Sequence, residues 1–264
     1  MTVTTGVPGV MVPGASPRRS PLVKLTQMEF KLFLRERVGP IWGVGFPMLL
    51  LVIFGAIPSF RKVLPGSGGL TTLDSYAPIL VVMSLALLAM VAMPLTMVGY
   101  RERGVLRRLR TTPAGPARVL TAQLIVSLCM AVVTIALILV VGKLAYGVPA
   151  PRQFGAWLVT AVFAVAALLA TGMFVAAIGP TARAAAAIGN VLFYPLMFFS
   201  GLWLPIPSMP AALQHVSHAT PLGAAWESFQ QADLGHWPPA LALVAMAAWA
   251  VAFGAGAARF FRWE

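Results

Sequence analysis

The residues able to do chemistry are few. Ser200-Gly201 is one place for a nucleophile, with His215, His218 and His236 downstream as bases. An intramembrane serine protease needs a serine with an activating base held beside it. Here no glycine stands two residues before Ser200, and no histidine falls in an apolar run long enough to span a membrane. His215 and His218 are three apart and could share a helix face. Without an acid or cysteine partner they make no metal-ligand set. Cys129 is the single cysteine and sits in an apolar run, so disulfide frameworks and cysteine metal clusters are excluded. Gly142-Lys143 lacks both the upstream glycine and the following Ser or Thr of a phosphate-binding loop. The seven acids in the chain are scattered, too thinly to hold metal for phosphoryl transfer. The sequence therefore carries no ATP site, cofactor site or metal site of its own. Any active work must draw energy from a partner.

The surrounding sequence explains why the chemistry is sparse. The chain has 264 residues, 59% of them hydrophobic and 10% charged, with a mean hydropathy of +0.86. Soluble domains are about 45–50% apolar and about 25% charged. An integral membrane protein is indicated. Uncharged intervals at 38–60, 75–100, 119–142, 153–182, 184–226 and 234–258 divide the chain. A spanning helix needs about 20 apolar residues. The intervals predict an all-α membrane protein with six helices near 39–58, 76–99, 119–142, 154–178, 184–204 and 238–258. These runs are apolar on every face, unlike the alternating strands of a membrane barrel. No charge falls inside a predicted span. That argues against proton-driven transport, which uses intramembrane carboxylates. Pro205, Pro207, Pro210 and Pro221 follow the fifth span. Such spacing breaks helices, and 205–236 is expected to dip into the membrane or lie on it.

The net charge is +12. Nucleic acid is the usual partner of so basic a chain, but membrane anchoring is the better use here. With six spans, fifteen of the nineteen Lys and Arg residues fall on the side holding both termini, and four on the other: Arg61, Lys62, Lys143 and Arg152. The positive-inside rule then puts both termini in the cytoplasm. Residues 1–20 lack the apolar core of a signal peptide and are expected to form a disordered tail. Residues 259–264 are expected to form a second short tail. Residues 21–37 are expected to form an interfacial helix, with Leu22, Leu25, Met28 and Leu32 as its apolar stripe. Glu29 and Glu36 intrude on that stripe.

The segment Tyr100–Pro116 joins the second and third spans and holds five arginines within 101–110. On a helix, Glu102, Val105, Leu106 and Leu109 share one face. A lone carboxylate in an apolar stripe calls for a partner, either an arginine or another chain.

Glu102-Arg103-Gly104-Val105-Leu106, then Leu109 and Thr111-Thr112-Pro113, resembles the E-x-G-T-L…L…T-P signature of type-2 ATP-binding-cassette (ABC) export permeases, with Val105 in the Thr position. Tyr194-Pro195, Phe199-Ser200-Gly201, Leu204-Pro205, Met209-Pro210 and Pro221-Leu222 are similar to that family's fifth span and extracellular re-entrant hairpin. The resemblance covers about 20–258, and the permease domain is expected over 21–258. It implies a permease subunit that dimerises, as homo- or heterodimer, and binds a cytosolic ATP-binding-cassette subunit carrying ATP and Mg. It further implies that Glu102 and Gly104, with Arg101, Arg103, Leu106 and Leu109, form a coupling helix against that ATPase. The substrate path would lie between two permease subunits, with Asn190, Tyr194 and Phe198 on the fifth span and Thr96 and Tyr100 on the second as candidate linings. The expected activity is ATP-driven export of a hydrophobic or amphipathic compound (drug, antibiotic or lipid-linked molecule) across a bacterial cell membrane. The contrasting reading is a non-transporting scaffold or assembly factor whose basic loops bind anionic lipid.

Overall fold

The computed structural model describes residues 21–36, 39–63, 69–105, 108 and 115–260. The expected tails at 1–20 and 261–264 lie outside them, as do Leu106, Leu109 and Thr111–Pro113. Among the described residues there is no β-strand, only one bridge between Val63 and Thr71.

The helices run in the order α1 Pro21–Arg35, α2 Phe46–Ala56, α3 Thr72–Leu87, α4 Met93–Glu102, α5 Gly115–Tyr146, α6 Phe154–Ile178, α7 Ala182–Phe199, α8 Ala211–Ala219, α9 Pro221–Leu234 and α10 Ala240–Phe260. A π-helical turn, Gly39–Gly45, leads into α2, and a second one, Leu88–Ala92, joins α3 to α4 in a single long span. Among the described residues, six helical stretches are long and apolar enough to cross a membrane: Gly39–Ala56, Thr72–Glu102, Arg118–Tyr146, Phe154–Ile178, Ala182–Phe199 and Ala240–Phe260. The protein is a multi-pass helical membrane protein. The fifth span ends at Phe199, short of the expected 204. Gly201 adopts φ +87°, a left-handed turn that glycine alone takes without strain, and it reverses the chain there.

The second span is the axis of the bundle, buried over most of its length, whereas Ala240–Phe260 is the most exposed. Side chains from α3 such as Leu80, Val82 and Met83 fill the core together with Leu168 of α6, Met197 of α7 and Phe229 of α9. Two glycines allow close approach to the π turn of the second span. A Cβ on Gly172 of α6 would strike the Ala89 carbonyl, and one on Gly189 of α7 would strike the Met90 carbonyl. Small residues at such crossings are how apolar helices gain contact where no hydrophobic force separates them from lipid. The first span is fixed to the second by the Ser84 hydroxyl, which donates to the Gly43 carbonyl at 2.5 Å.

Length sets the level of the bilayer. The second and third spans share an end, where Asp74 and Leu139 line one small cavity. At about 1.5 Å per residue, the 32 residues of α5 reach about 48 Å. Counting about 20 residues from the charge-free edges at that end, Ser75 and Gly142, puts the far edge of a hydrocarbon layer near Leu95 on the second span and Ala122 on the third. The remaining turns of α4 and α5 project beyond it.

After the fifth span, α8 and α9 make a helical hairpin. The Ser217 hydroxyl donates to the Phe199 carbonyl at 2.5 Å, and the Trp249 indole, nine residues into α10, donates to Ala219 at the hairpin tip at 2.9 Å.

Candidate functional site: the α1 clamp, the loop knot and the aromatic cavity

The α1 helix buries a stripe different from the expected one. Glu29 is 7% exposed and Phe33 7%, while Met28 is 61% exposed and Leu32 41%. Periodicity alone does not tell the protein-facing side of an apolar helix from the lipid-facing side. The inward stripe is Leu22 and Leu25, half-buried, with Glu29 and Phe33, buried; Glu29 and, just past the helix end, Glu36 do the docking. Tyr100 donates its hydroxyl proton to Glu29 at 2.8 Å, and the Thr96 hydroxyl donates to Glu36 at 3.1 Å. Burial raises the Glu29 pKa above the ordinary carboxylate value; the Tyr100 hydrogen bond opposes this and the Glu36 charge adds to it. Thr96 and Tyr100 therefore clamp α1, and neither lines the aromatic cavity described below.

The loop after the second span is knotted to the turn between the fourth and fifth. The Arg101 guanidinium donates to the Gly179 carbonyl. Glu102 accepts from the Ala182 N–H at 3.0 Å. Ala182 opens α7, so Glu102 sits at the positive end of a helix dipole, a favourable place for a carboxylate. The second half of the sequence expectation fails here. No continuous helix runs from 102 onward, because α4 stops at Glu102 and Gly104 turns with φ +68°. Glu102 and Val105 thus belong to separate segments. A Cβ on Gly104 would meet nothing within 4 Å in this chain, so what the fold itself asks of this glycine is its dihedral angle. Arg103 is exposed.

A cavity of about 560 Å³ lies between the first, second and fifth spans. Trp42, Phe46 and Phe54 wall one side, Asn190 and Tyr194 the other, and Trp203 closes one end. Tyr194 is 58% exposed and Trp42 51%. Two of the three expected fifth-span residues are thus brought together; Phe198 instead packs on the core and on Phe199. Sequence reasoning missed the aromatic wall of the first span, although Trp42, Phe46, Leu50 and Phe54 recur at helical spacing.

A six-span helical bundle with a clamped N-terminal helix, a polar knot at one end and an aromatic cavity open on one flank defines a transport-type membrane domain. Residues 22–234 match the family of ABC-2 type transporters, and the chain belongs to that family. Permeases of this kind work with an ATP-binding subunit. A comparison with curated proteins finds no match.

Proposed function

We propose that the chain is the membrane subunit of an ATP-driven exporter for a hydrophobic or amphipathic compound. Two copies, or one copy and a related permease, would pair in a bacterial cell membrane with both termini in the cytoplasm. ATP and Mg would be held by the separate ATPase subunit.

The aromatic cavity carries this reading. Its walls are mostly apolar, its lining residues with polar groups are Asn190, Tyr194 and the indoles of Trp42 and Trp203, and its flank is exposed in a single copy. A second permease against that flank would enclose the cavity and leave a greasy path with a few hydrogen-bonding groups, suited to an amphiphile and unsuited to a small ion. The knot at Arg101, Glu102 and Gly179 supports a coupling role for the loop. By length it would stand about 10 Å past the hydrocarbon, where a cytosolic subunit can reach it. The hairpin of α8 and α9 is read as re-entrant, since its tip bonds Trp249 well inside the last span.

The test is to purify the chain from its own membranes in mild detergent. An ATPase should co-purify, and amphiphiles that the complex moves should stimulate it. Tyr194→Ala should shift that stimulation, while Glu102→Gln should keep assembly but separate hydrolysis from transport. A chain that purifies without an ATPase, yet holds anionic lipid, would sink the exporter reading in favour of a scaffold.

A further inference from the structure

The outward surface of α1 is divided. Lys24, Gln27, Lys31 and Arg35 recur at helical spacing and are all exposed. They lie opposite the stripe of Leu22, Glu29 and Phe33 that docks on the bundle. Between the two stripes run Val23, Phe30 and Leu34, exposed by 44%, 37% and 56%. The α1 helix packs along the third span, where Phe33 meets Val126 and Met130. Beside that contact the apolar flank borders an open groove of about 650 Å³, with Phe30 on one wall, Ile125 and Cys129 on the other, and Gln27 and Lys31 at its polar edge.

The cleft stands at a particular depth. The length count ends the hydrocarbon near Ala122, about one turn from Ile125 and Val126 on the cleft wall. Its apolar walls therefore meet acyl chains and its polar edge meets headgroups. The basic stripe adds a positive field at that level, and each Lys or Arg near a membrane surface favours anionic lipid.

We propose that this cleft is a binding site for one anionic phospholipid of the adjoining leaflet. The phosphate is held by the Lys31 ammonium and the Gln27 amide, and an acyl chain runs along Phe30, Ile125 and Cys129. The bound lipid fills the groove beside the contact of α1 with the third span, so α1 is held on its buried face by the bundle and on its flank by lipid. The site depends on α1 lying at a membrane surface and not on the compound exported or on the ATPase.

Cys129 is the chain's single cysteine and is exposed, so the native protein carries its own probe. The full chain is placed in nanodiscs of phosphatidylcholine alone or with added phosphatidylglycerol, and the rate of Cys129 modification by N-ethylmaleimide is followed. Phosphatidylglycerol should slow it about fivefold, the weight of one lysine near an anionic surface. Native mass spectrometry should show a retained phosphatidylglycerol. Lys31→Gln should lose both the protection and the retained lipid, and Lys62→Gln, at the other end of the bundle, should keep both. Equal rates in the two lipids, or undiminished protection in Lys31→Gln, overturns the site. So does protection that follows protein density with Cys129-to-Cys129 cross-linking, which would mean a second copy covers the cleft. The lipid titration on the wild-type chain decides the matter even if a variant folds poorly.

Discussion

The Tyr100 hydroxyl donates to the Glu29 carboxylate at 2.8 Å, joining the N-terminal helix to the projecting end of the second span. A force on α1 is thus passed to the same turn of helix that carries Arg101 and Glu102. The Thr96–Glu36 bond, one turn back along α4, gives the joint a second point.

Removing the donor should cost more than removing the charge. Tyr100→Phe leaves a buried carboxylate without its hydroxyl partner, a loss of about 1–3 kcal/mol. Glu29→Gln keeps an acceptor and removes the desolvated charge. Because the folded Glu29 pKa is raised, its stabilising contribution is complete below the ordinary carboxylate value and is lost as pH rises through the raised value. Thermal unfolding in nanodiscs should show wild-type stability falling across that rise and the Glu29→Gln curve flatter. A flat wild-type curve would refute the assignment.

Asp233, near the end of α9, provides a second titration at the opposite end of the bundle. Burial and the nearby Asp74 charge push its pKa up to about 7. Asp74 is committed already, since its carboxylate accepts from the Thr71 N–H at 2.7 Å in a capping box. The sign follows from the raised value: Asp233 favours the folded state in acid, and that contribution is lost as pH passes about 7. Asp233→Asn should therefore stabilise the protein on the alkaline side of neutrality and change little in acid. A melting series with pH checks this, and stabilisation confined to acid would contradict it.

Gly104 is tested by dihedral preference. Asparagine tolerates the left-handed region, whereas a β-branched side chain does not. Gly104→Asn should assemble and transport close to wild type, and Gly104→Val should fail by about 1–2 kcal/mol at the turn. Equal behaviour of the two variants in an ATPase-stimulation assay would remove the dihedral argument. A close backbone approach of the ATPase subunit at Gly104 would instead block both variants.

The six spans were legible because charge is costly in hydrocarbon, so uncharged intervals mark them directly. The face of α1 was not. In a soluble helix the apolar stripe is the buried one, but beside a membrane Met28 and Leu32 face outward as readily as inward. The better signal was polar: Glu29 and Glu36, two turns apart in an apolar context, answer the hydroxyls of Thr96 and Tyr100, one turn apart. The break at Gly104 was hidden by an apolar period that runs on across it. The Glu102 partner was hidden for a different reason. It is a backbone N–H at a helix start, and backbone donors leave no mark in side-chain pattern.

The final prediction concerns the π turn of the second span, Leu88–Ala92. Gly172 and Gly189 approach it from α6 and α7, and a Cβ at either would run into backbone carbonyl oxygen, at Ala89 and Met90 respectively. A carbonyl cannot rotate aside as a flexible side chain does, so the helices must part. Overpacking of this kind costs about 1–3 kcal/mol. Gly172→Ala and Gly189→Ala should each lower thermal stability by that order, and the double variant by less than the sum if one displacement of the second span relieves both clashes. Gly155→Ala, near the start of α6, is the control, because its Cβ meets nothing within 4 Å. π-helical turns are inserted within α-helices where a function uses the irregularity. If the turn serves the movement of the second span, Gly189→Ala should slow transport beyond what its lost stability explains, measured at a temperature where both proteins are fully folded. Transport that merely tracks the folded fraction would assign both glycines to packing alone.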